Sequence, residues 1–408
     1  MSVQTSNVNE TPVFDDDLAS YNARILAFAQ AFGSSATTII YSTTTILAAS
    51  LLGGDMTYAT LPVTALVFGT MLGSLLAGQI MRRYGRRFGF LLSNFTGILF
   101  SLLASYAAYQ GSFTLLCLST FGNGVVAAFL QQGRFAATDT ASPAFRPKAV
   151  SWVLTGGIVA AILGPQTVIF TKDLYTPFLF MATYMVQAGL QFCALIAVGF
   201  LRLPKRQKVT IDRDQKRHWS EIFSQRPLII AVLCGATSYS LMNLLMTSAP
   251  LAMVGCGFSE SEAALGIQWH VLAMYLPSFF SGSIISRFGS TRVIAAGFIV
   301  TGLSAIVGMS GDGLAHFWIS LILLGLGWNF SYVGATTLLT TTYRNNEANS
   351  VQSINDFVIF SSMAVSSFSS GKLLSVYGWD MVNQISLLLV IVVLVLLLSL
   401  RVRAVTSS

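Results

Sequence analysis

Twelve apolar stretches follow one another along this chain, and each is long enough to cross a bilayer, which needs about 20 apolar residues. The predicted helices cover residues 24–51, 57–81, 88–110, 113–138, 148–171, 175–203, 227–254, 262–286, 292–311, 314–341, 348–371 and 380–400. Only 10% of the 408 residues are charged and 54% are hydrophobic, a balance that a soluble fold could not bury. The sequence predicts an all-α polytopic membrane protein and excludes a soluble enzyme and a nucleic-acid-binding domain.

The basic residues indicate how the chain is oriented in the membrane. Of the 23 Lys and Arg residues, 21 lie on one side of the predicted bundle, and only Lys172 and Lys372 lie on the other. Cytoplasmic loops carry such an excess, so we expect both termini to be cytoplasmic. The net charge of +7 then reports topology and needs no anionic partner beyond the lipid bilayer.

A polar segment divides the chain into two halves that resemble each other. We expect an N-terminal tail (1–23), a six-helix bundle (24–203), a cytoplasmic central loop (204–226), a second six-helix bundle (227–400) and a short tail (401–408). The segment that begins at Gly78 recurs at Gly282, shifted by 204 positions, and the pair Gly122 and Gly124 recurs at Gly325 and Gly327, shifted by 203. These matches predict a duplicated six-helix unit, an arrangement in which transporters bind substrate between the halves.

With these features the chain resembles the major facilitator superfamily. The loop after the second helix, Gly78 to Arg87, is similar to the family signature G-x-x-x-D-R-x-G-R-R, although Arg82 stands at the acidic position. The resemblance implies alternating access and a loop whose carboxylate latches the halves, so here another carboxylate must serve or the latch is weaker. The arginines are also explained as a positive-inside anchor. The candidate gating residues of this loop are Arg82, Arg83, Arg86 and Arg87.

Few ionisable side chains fall within the predicted helices, and each is a functional candidate because charge inside a membrane is costly. Arg134 lies near the cytoplasmic end of the fourth helix, Asp139 lies just beyond it, and Asp356 lies in the eleventh helix. Either acid could carry a coupling proton or close a cytoplasmic gate. The alternative is that Arg134 snorkels to the interface and Asp356 bonds to a neighbouring helix.

A group of soft donors occurs in the seventh and eighth helices. Met242 and Met246 are four residues apart, as are His270 and Met274, so each pair shares a helix face. At 1.5 Å per residue the two pairs lie at matching depths, about 12 and 18 Å below the outer end. Thioether and imidazole donors select Cu(I), and the spacing predicts a two-rung copper site. Packing methionines and a satisfied buried histidine are the alternative.

The combination M-x-x-x-M followed by H-x-x-x-M resembles the CcoA-type copper importers, a bacterial branch of the superfamily. The resemblance implies copper uptake across the inner membrane for haem–copper oxidase assembly, with Met242, Met246, His270 and Met274 as ligands. It also implies auxiliary relay roles for Cys234 and Cys256 and a cytoplasmic copper chaperone as a partner. Copper is then the transported substrate, and no resident cofactor and no enzymatic activity are expected.

The same branch contains proteins described as riboflavin transporters, so import of riboflavin or another small planar metabolite is the alternative function. A flavin site needs aromatic faces and amide donors in a central cavity. The candidates for such a site are Tyr41, Gln131, Gln132, Trp328, Asn329 and Asn355. A proton-coupled exporter is less favoured, because Gly164 and Pro165 are not followed by the remaining glycines of the exporter signature.

Overall fold

A computed structural model describes residues 14–142, 144–203, 218–344 and 347–405, and these residues form helices joined by short turns. The helices are α1 (Asp16–Leu51), α2 (Leu61–Tyr84), α3 (Arg86–Gln110), α4 (Phe113–Gln131), α5 (Gly133–Ala137), α6 (Arg146–Thr171), α7 (Met181–Gly199), α8 (Trp219–Phe223), α9 (Arg226–Gly255), α10 (Glu260–Tyr275), α11 (Ser278–Phe288), α12 (Ser290–Met309), α13 (Leu314–Thr340) and α14 (Ala348–Val405).

These helices make up the predicted twelve crossings. Within the described ranges, nine helices are long and apolar enough to span a membrane, or ten if the bent pair α10–α11 is one span. Gly378, with φ 78° and ψ 179°, interrupts α14 and divides it into the eleventh and twelfth crossings. The helix α1 has 36 residues and is therefore about 54 Å long, enough to add the remaining crossing. The polytopic all-α prediction is confirmed.

Several helix boundaries differ from the prediction, and among the helix starts the first and the sixth differ most. The first helix begins at Asp16 instead of residue 24, because the Asp15 side chain accepts a hydrogen bond from the Leu18 amide and caps the helix. The sixth crossing begins at Met181 instead of residue 175. Phe180 adopts φ 62° and its amide donates to the Lys172 carbonyl (3.0 Å), so residues 172–180 form a closed turn. Residues 1–13 and 204–217, in the predicted tail and central loop, lie outside the described residues.

The eighth crossing is predicted as one continuous helix but is broken between α10 and α11, whose axes differ by 44°. Pro277 stands at the break, where it has no amide hydrogen to donate and its ring clashes with the preceding turn. The Asn329 side chain donates to the Met274 carbonyl (2.7 Å) and to the Ser278 hydroxyl (2.7 Å). This asparagine from α13 thereby stabilises the bend from outside the helix.

The backbone confirms that the two halves are repeats. Gly85 between α2 and α3 has φ 92° and ψ 155°, and Gly289 between α11 and α12 has φ 83° and ψ 148°. Their amides donate to the carbonyls of Met81 and Ile285 respectively. Both pairs are related by the shift of 204 positions. A positive φ favours glycine, which explains why both copies of the loop keep it.

The sequence offset pairs Gly122 of the fourth crossing with Gly325 of the tenth, but the helix contacts pair Gly124 with Gly325. A Cβ on Gly124 would lie 2.0 Å from the Leu66 carbonyl oxygen, and a Cβ on Gly325 would lie 2.4 Å from the His270 carbonyl oxygen. Leu66 and His270 are again 204 positions apart. Gly124, and not Gly122, is therefore the structural partner of Gly325, because close helix contact and not the sequence offset decides the equivalence.

The two ends of the bundle differ in character. We call the end that carries the Arg82–Arg87 segment and the start of α1 the basic end, and the opposite end the distal end. At the distal end one apolar cluster joins both halves. Its members include Ile46 and Leu47 of α1, Leu244 and Leu245 of α9, Phe317 of α13 and Trp379 of α14. The core therefore continues from one half to the other at that end.

Candidate functional site

A cavity lies between the two halves and is walled by α1, α2, α4 and α6 on one side and by α9, α10 and α14 on the other. It extends from Tyr41 and Met246 near the middle of the bundle to Gln131 at the basic end of α4. About 1000 Å³ within these walls and the open mouth is free of protein atoms, which is an upper limit on the space that a ligand could fill. The space suits an organic solute.

Hydrogen bonds between the halves close the cavity towards the distal end. The Tyr41 hydroxyl donates to the Asn243 side-chain oxygen (3.0 Å), and both residues are buried. Further out, the Gln166 amide donates to the Gln268 side-chain oxygen (2.8 Å). With the apolar cluster these contacts seal the distal side, so the structure is a state in which the cavity opens towards the basic end.

An ion pair joins the halves at the distal surface. The Lys172 ammonium lies 3.1 Å from the Glu260 carboxylate of the other half and 2.8 Å from that of its neighbour Asp173. Partial burial lowers the pKa of Lys172, but the hydrogen bonds and negative charges of Asp173 and Glu260 outweigh it, so the pKa lies above its ordinary value. The ammonium is therefore charged at neutral pH and holds the pair together.

The lining of the cavity is polar without being charged. Gln30, Ser34, Thr37, Thr38 and Thr70 line its first-half wall, and no Asp, Glu, Lys or Arg is among the described lining residues. Amide and hydroxyl groups can donate and accept hydrogen bonds to a neutral solute. A charged solute entering this space would lose its hydration without gaining an opposite charge, which is costly. The lining therefore favours an uncharged substrate.

An aromatic cluster stands on the second-half side of the cavity. Trp328 and Tyr332 of α13 are stacked, with ring centroids 5.0 Å apart and planes 17° apart. Tyr239 of α9 lines the cavity and meets Trp328 and Tyr332 edge-on at 5.1 and 4.7 Å. Of the three residues in this cluster, only Trp328 is a candidate predicted from the sequence. The spacing of Tyr239, three residues before Met242 on one helix face, is the signal that could have identified it.

The structure brings together three of the four predicted copper ligands. Met242, Met246 and Met274 line the cavity and are nearly buried. His270 is fully buried, and its Nδ1 lies 2.8 Å from the Leu321 carbonyl of α13, so this nitrogen carries the proton and donates. The Nδ1 side of the imidazole therefore faces the packing contact between α10 and α13, whereas Nε2 is buried without a hydrogen-bond partner among the described residues and the three methionines line the cavity.

The two predicted relay cysteines lie apart from the methionines. Cys234 is buried in a separate apolar cluster with Leu241, Ile294 and Phe298. Cys256 is exposed at the distal end of α9. Among the residues that the structure describes, no group of three or more His, Cys, Asp and Glu side chains could hold a metal ion. Their relay role stays a prediction.

The polar residues predicted to bind a flavin fall into two groups. Tyr41 and Gln131 line the cavity, as that alternative requires. Asn329 is fully buried and stabilises the α10–α11 bend, and Asn355 donates to the Asp356 carboxylate (3.2 Å). Gln132 caps α4, and its carbonyl accepts from Arg86. These three residues therefore have structural partners outside the cavity.

Arg86 of the signature loop forms an ion pair with Asp139, which belongs to the same half. Arg86 Nε lies 2.6 Å from one Asp139 carboxylate oxygen, and a second Arg86 nitrogen donates to the other oxygen (3.0 Å). Arg87 donates to the Gly199 carbonyl, whereas Arg82 and Arg83 are exposed. Asp139 therefore joins α3 to the end of α5 within the first half, and the gating role predicted for it and for the loop arginines stays a prediction.

Arg134 and Asp356 stand on opposite halves near the mouth of the cavity. Both side chains are exposed, and Arg134 acts electrostatically on Asp356 and on Tyr332. The gating role predicted for these two residues stays a prediction.

Comparison with known proteins identifies the family. The family model described as Major Facilitator Superfamily matches residues 25–274 and 238–408. The riboflavin transporter RfnT of Brucella anthropi is 41% identical over 377 residues, which cover 92% of this chain and 94% of that protein. The uncharacterized MFS-type transporter YddS of Bacillus subtilis is 27% identical, with 93% of this chain and 92% of that protein covered.

Solved structures support the same fold. The nucleoside transporter NupG superposes with a TM-score of 0.67 over 94% of this chain and 98% of that chain, at 13% sequence identity. Because the family model spans the chain from residue 25 onward, and because the cavity lies between two six-helix repeats, this chain belongs to the major facilitator superfamily of membrane transporters.

Proposed function

We propose that this chain imports riboflavin, or a closely similar neutral flavin, across a bacterial inner membrane by alternating access. The observation that carries the proposal is the uncharged cavity with Tyr239 in its second-half wall, where Trp328 and Tyr332 pack behind that ring. The 41% identity to a protein named as a riboflavin transporter supports it. Under the positive-inside rule the basic end is cytoplasmic, so the cavity described here faces the cytoplasm.

The chemistry of the walls matches the two parts of such a substrate. A planar tricyclic ring gains about 0.5–1.5 kcal/mol from an offset or edge-to-face contact with one aromatic side chain, beyond the burial of its surface. The polyhydroxyl chain of riboflavin needs donors and acceptors, which Gln30, Ser34 and Thr37 provide. We place the ring beside Tyr239 and the ribityl chain along α1.

Two pairs of charged residues serve the transport cycle in this proposal. Arg134 and Asp356 approach when the basic end closes and form the cytoplasmic gate. The Arg86–Asp139 pair holds the end of α5 against α3 and keeps the first half together while the halves move. Because Lys172 and Glu260 bridge the halves only while the distal end is closed, this pair favours the state described here.

Uptake of radiolabelled riboflavin tests the proposal. Cells that lack their own flavin uptake, and express this chain, should accumulate label, and an excess of unlabelled riboflavin should compete. The variant Tyr239→Ala should reduce uptake about tenfold, which corresponds to about 1.4 kcal/mol of lost binding. Tyr106→Ala is the matched control, because Tyr106 is exposed on the outer surface of α3. Normal uptake by Tyr239→Ala, or no uptake by the parent chain, would refute the proposal.

Copper import remains a second candidate, favoured by the three methionines that line one cavity. It has less support than riboflavin, because His270 is not among the residues that line the cavity with the methionines and because the named relative is a riboflavin transporter. Metal analysis of purified protein distinguishes the two. Stoichiometric copper that disappears in Met242→Ala/Met274→Ala would favour copper, and a cytoplasmic copper chaperone would then be a partner. Our proposal expects no bound copper and unchanged copper uptake.

A further inference from the structure

The contact between α1 and α9 has a repeat-related pattern of polar residues. Tyr41 and Asn243, which hydrogen-bond to each other at the distal limit of the cavity, are 202 positions apart. This separation is close to the 204 positions that relate the two loop glycines. The two separations differ by two residues, so the direct contact, and not the offset, matches Tyr41 with Asn243, and their bond lies where the first and seventh crossings of the two repeats meet.

One helical turn beyond Tyr41 and Asn243, towards the distal end, each helix carries a threonine. The hydroxyls of these two threonines have no hydrogen-bond partner among the described residues. Thr45 lies four residues beyond Tyr41 and Thr247 four residues beyond Asn243, so each shares a face with the residue below it. Both side chains are fully buried. The neighbouring threonines of α1 behave differently, since Thr43 and Thr44 donate to the carbonyls four residues earlier.

Burying a hydroxyl without a partner costs about 1–3 kcal/mol. Such a cost at both corresponding positions of the two repeats indicates a function outside the described state. The Ser248 hydroxyl, next to Thr247, is also buried and unpartnered in this part of the structure. The Thr45 and Thr247 hydroxyls lie one turn beyond the Tyr41–Asn243 bond, where α1 and α9 would separate if the distal end opened.

We propose that Thr45 and Thr247 line the translocation path in the opposite state, where their hydroxyls bind the hydroxyl or amide groups of a neutral polar substrate. The Tyr41–Asn243 bond is then the partition between the two halves of the path. When it opens, the distal hydroxyls meet water and substrate, which supply the partners that they lack here. This inference depends on alternating access and not on the identity of the substrate.

Cysteine accessibility tests the proposal in the full-length chain. In a background with the four native cysteines replaced and transport retained, Thr45→Cys and Thr247→Cys are exposed in cells to a membrane-impermeant thiol reagent added from the distal side. Thr43→Cys is the matched control, because Thr43 is equally buried on the same helix but bonds to Tyr184 within its own half. A state populated at even about 1–10% exposes the path thiols repeatedly. We therefore expect labelling at least about tenfold faster than in the control.

Riboflavin at saturating concentration should slow the labelling of Thr45→Cys and Thr247→Cys and leave Thr43→Cys unchanged. If both thiols are labelled quickly but riboflavin gives no protection, the path is confirmed and the proposed substrate is wrong. If both thiols react as slowly as Thr43→Cys while the variants still transport, Thr45 and Thr247 are buried in both states and the inference is overturned. Conservative Thr45→Ser and Thr247→Ser variants, with uptake near that of the parent chain, show that the folded protein tolerates change at these positions.

Discussion

Contacts at the distal end of the bundle join the two halves, whereas several contacts at the basic end join elements of one half. At the distal end, Tyr41–Asn243, Gln166–Gln268 and Lys172–Glu260 join one half to the other, together with an apolar cluster that belongs to both. At the basic end, several polar contacts of the described residues join elements of the first half to one another. They include Arg86–Asp139, Asp16 with Ser142, and Asn22 with Arg202.

This difference shows what each set of contacts can control. Contacts within a half stabilise that half in every state of the transport cycle, so their loss should lower the stability of the protein. Contacts between the halves exist in only one state, so their loss should change the populations of the states and leave the stability of each half nearly unchanged. Three predictions follow this distinction, from the interior of one half to the distal surface.

The largest effect is expected at the glycines where helices touch within a half. Gly124→Ala would place a Cβ 2.0 Å from the Leu66 carbonyl oxygen, and Gly325→Ala would place one 2.4 Å from that of His270. Backbone cannot move aside as a flexible side chain does, so we expect about 3 kcal/mol of destabilisation or more in each variant. Thermal unfolding of the detergent-solubilised protein measures the effect.

Gly78→Ala is the matched control for both glycines, because a Cβ there meets no atom within 4 Å. This exposed helical position should gain stability by roughly 0.5–1 kcal/mol. Equal melting temperatures for Gly124→Ala and Gly78→Ala would show that the helices do not approach as closely as described.

An intermediate effect is expected for the ion pair at the basic end. Arg86→Ala removes both hydrogen bonds to Asp139, whose side chain is 25% exposed against 13% for Arg86. Partial burial puts the loss between the values for surface and buried pairs, at about 1–3 kcal/mol. Thermal unfolding measures it, with Arg83→Ala as the control because Arg83 is exposed. Equal stability of the two variants would contradict a stabilising role for the pair.

The smallest effect on stability is expected at the distal surface. Glu260→Gln removes the charge that faces Lys172 across the halves, whereas Asp173→Asn removes one from the same half as Lys172. The Lys172–Glu260 pair is a single contact of 3.1 Å whose ammonium is shared with Asp173, so we expect it to contribute about 1 kcal/mol, which corresponds to a severalfold change in the ratio of the two states. Labelling of Thr45→Cys should therefore become severalfold faster with Glu260→Gln and stay unchanged with Asp173→Asn.

The pH dependence of the same measurement follows from Lys172. Because its pKa is raised in the closed state, the contribution of the pair is complete below the ordinary lysine pKa of about 10.4. It is lost as the pH rises through the higher pKa of the closed state. The Lys172–Glu260 pair should leave the labelling rate of Thr45→Cys unchanged below about pH 9. Above about pH 10, loss of the pair should increase that rate. An increase between neutral pH and about pH 9 that Glu260→Gln abolishes would contradict this assignment.

Some properties of this protein depend on local features that the sequence displays directly. The twelve crossings follow from apolar length, the orientation from the distribution of arginine and lysine, and the duplicated unit from two glycine-containing segments repeated at one offset. The break of the eighth crossing at Pro277 was missed, although proline itself was the available signal. The candidate role of Tyr41 at the cavity was also accessible, because polar residues in an apolar helix usually face the interior.

The tertiary structure decided which side chains share a space. The sequence placed His270 level with Met246, and Met242 level with Met274, but depth along a helix does not determine the rotation of that helix against its neighbours. The packing of α10 against α13 turns His270 towards Leu321 and leaves Met274 in the cavity. In the same way, only packing could pair Arg86 with Asp139 in its own half and show that Thr45 and Thr247 lack partners. Apolar length and charge are read along the chain, whereas a binding surface depends on how the helices rotate and meet.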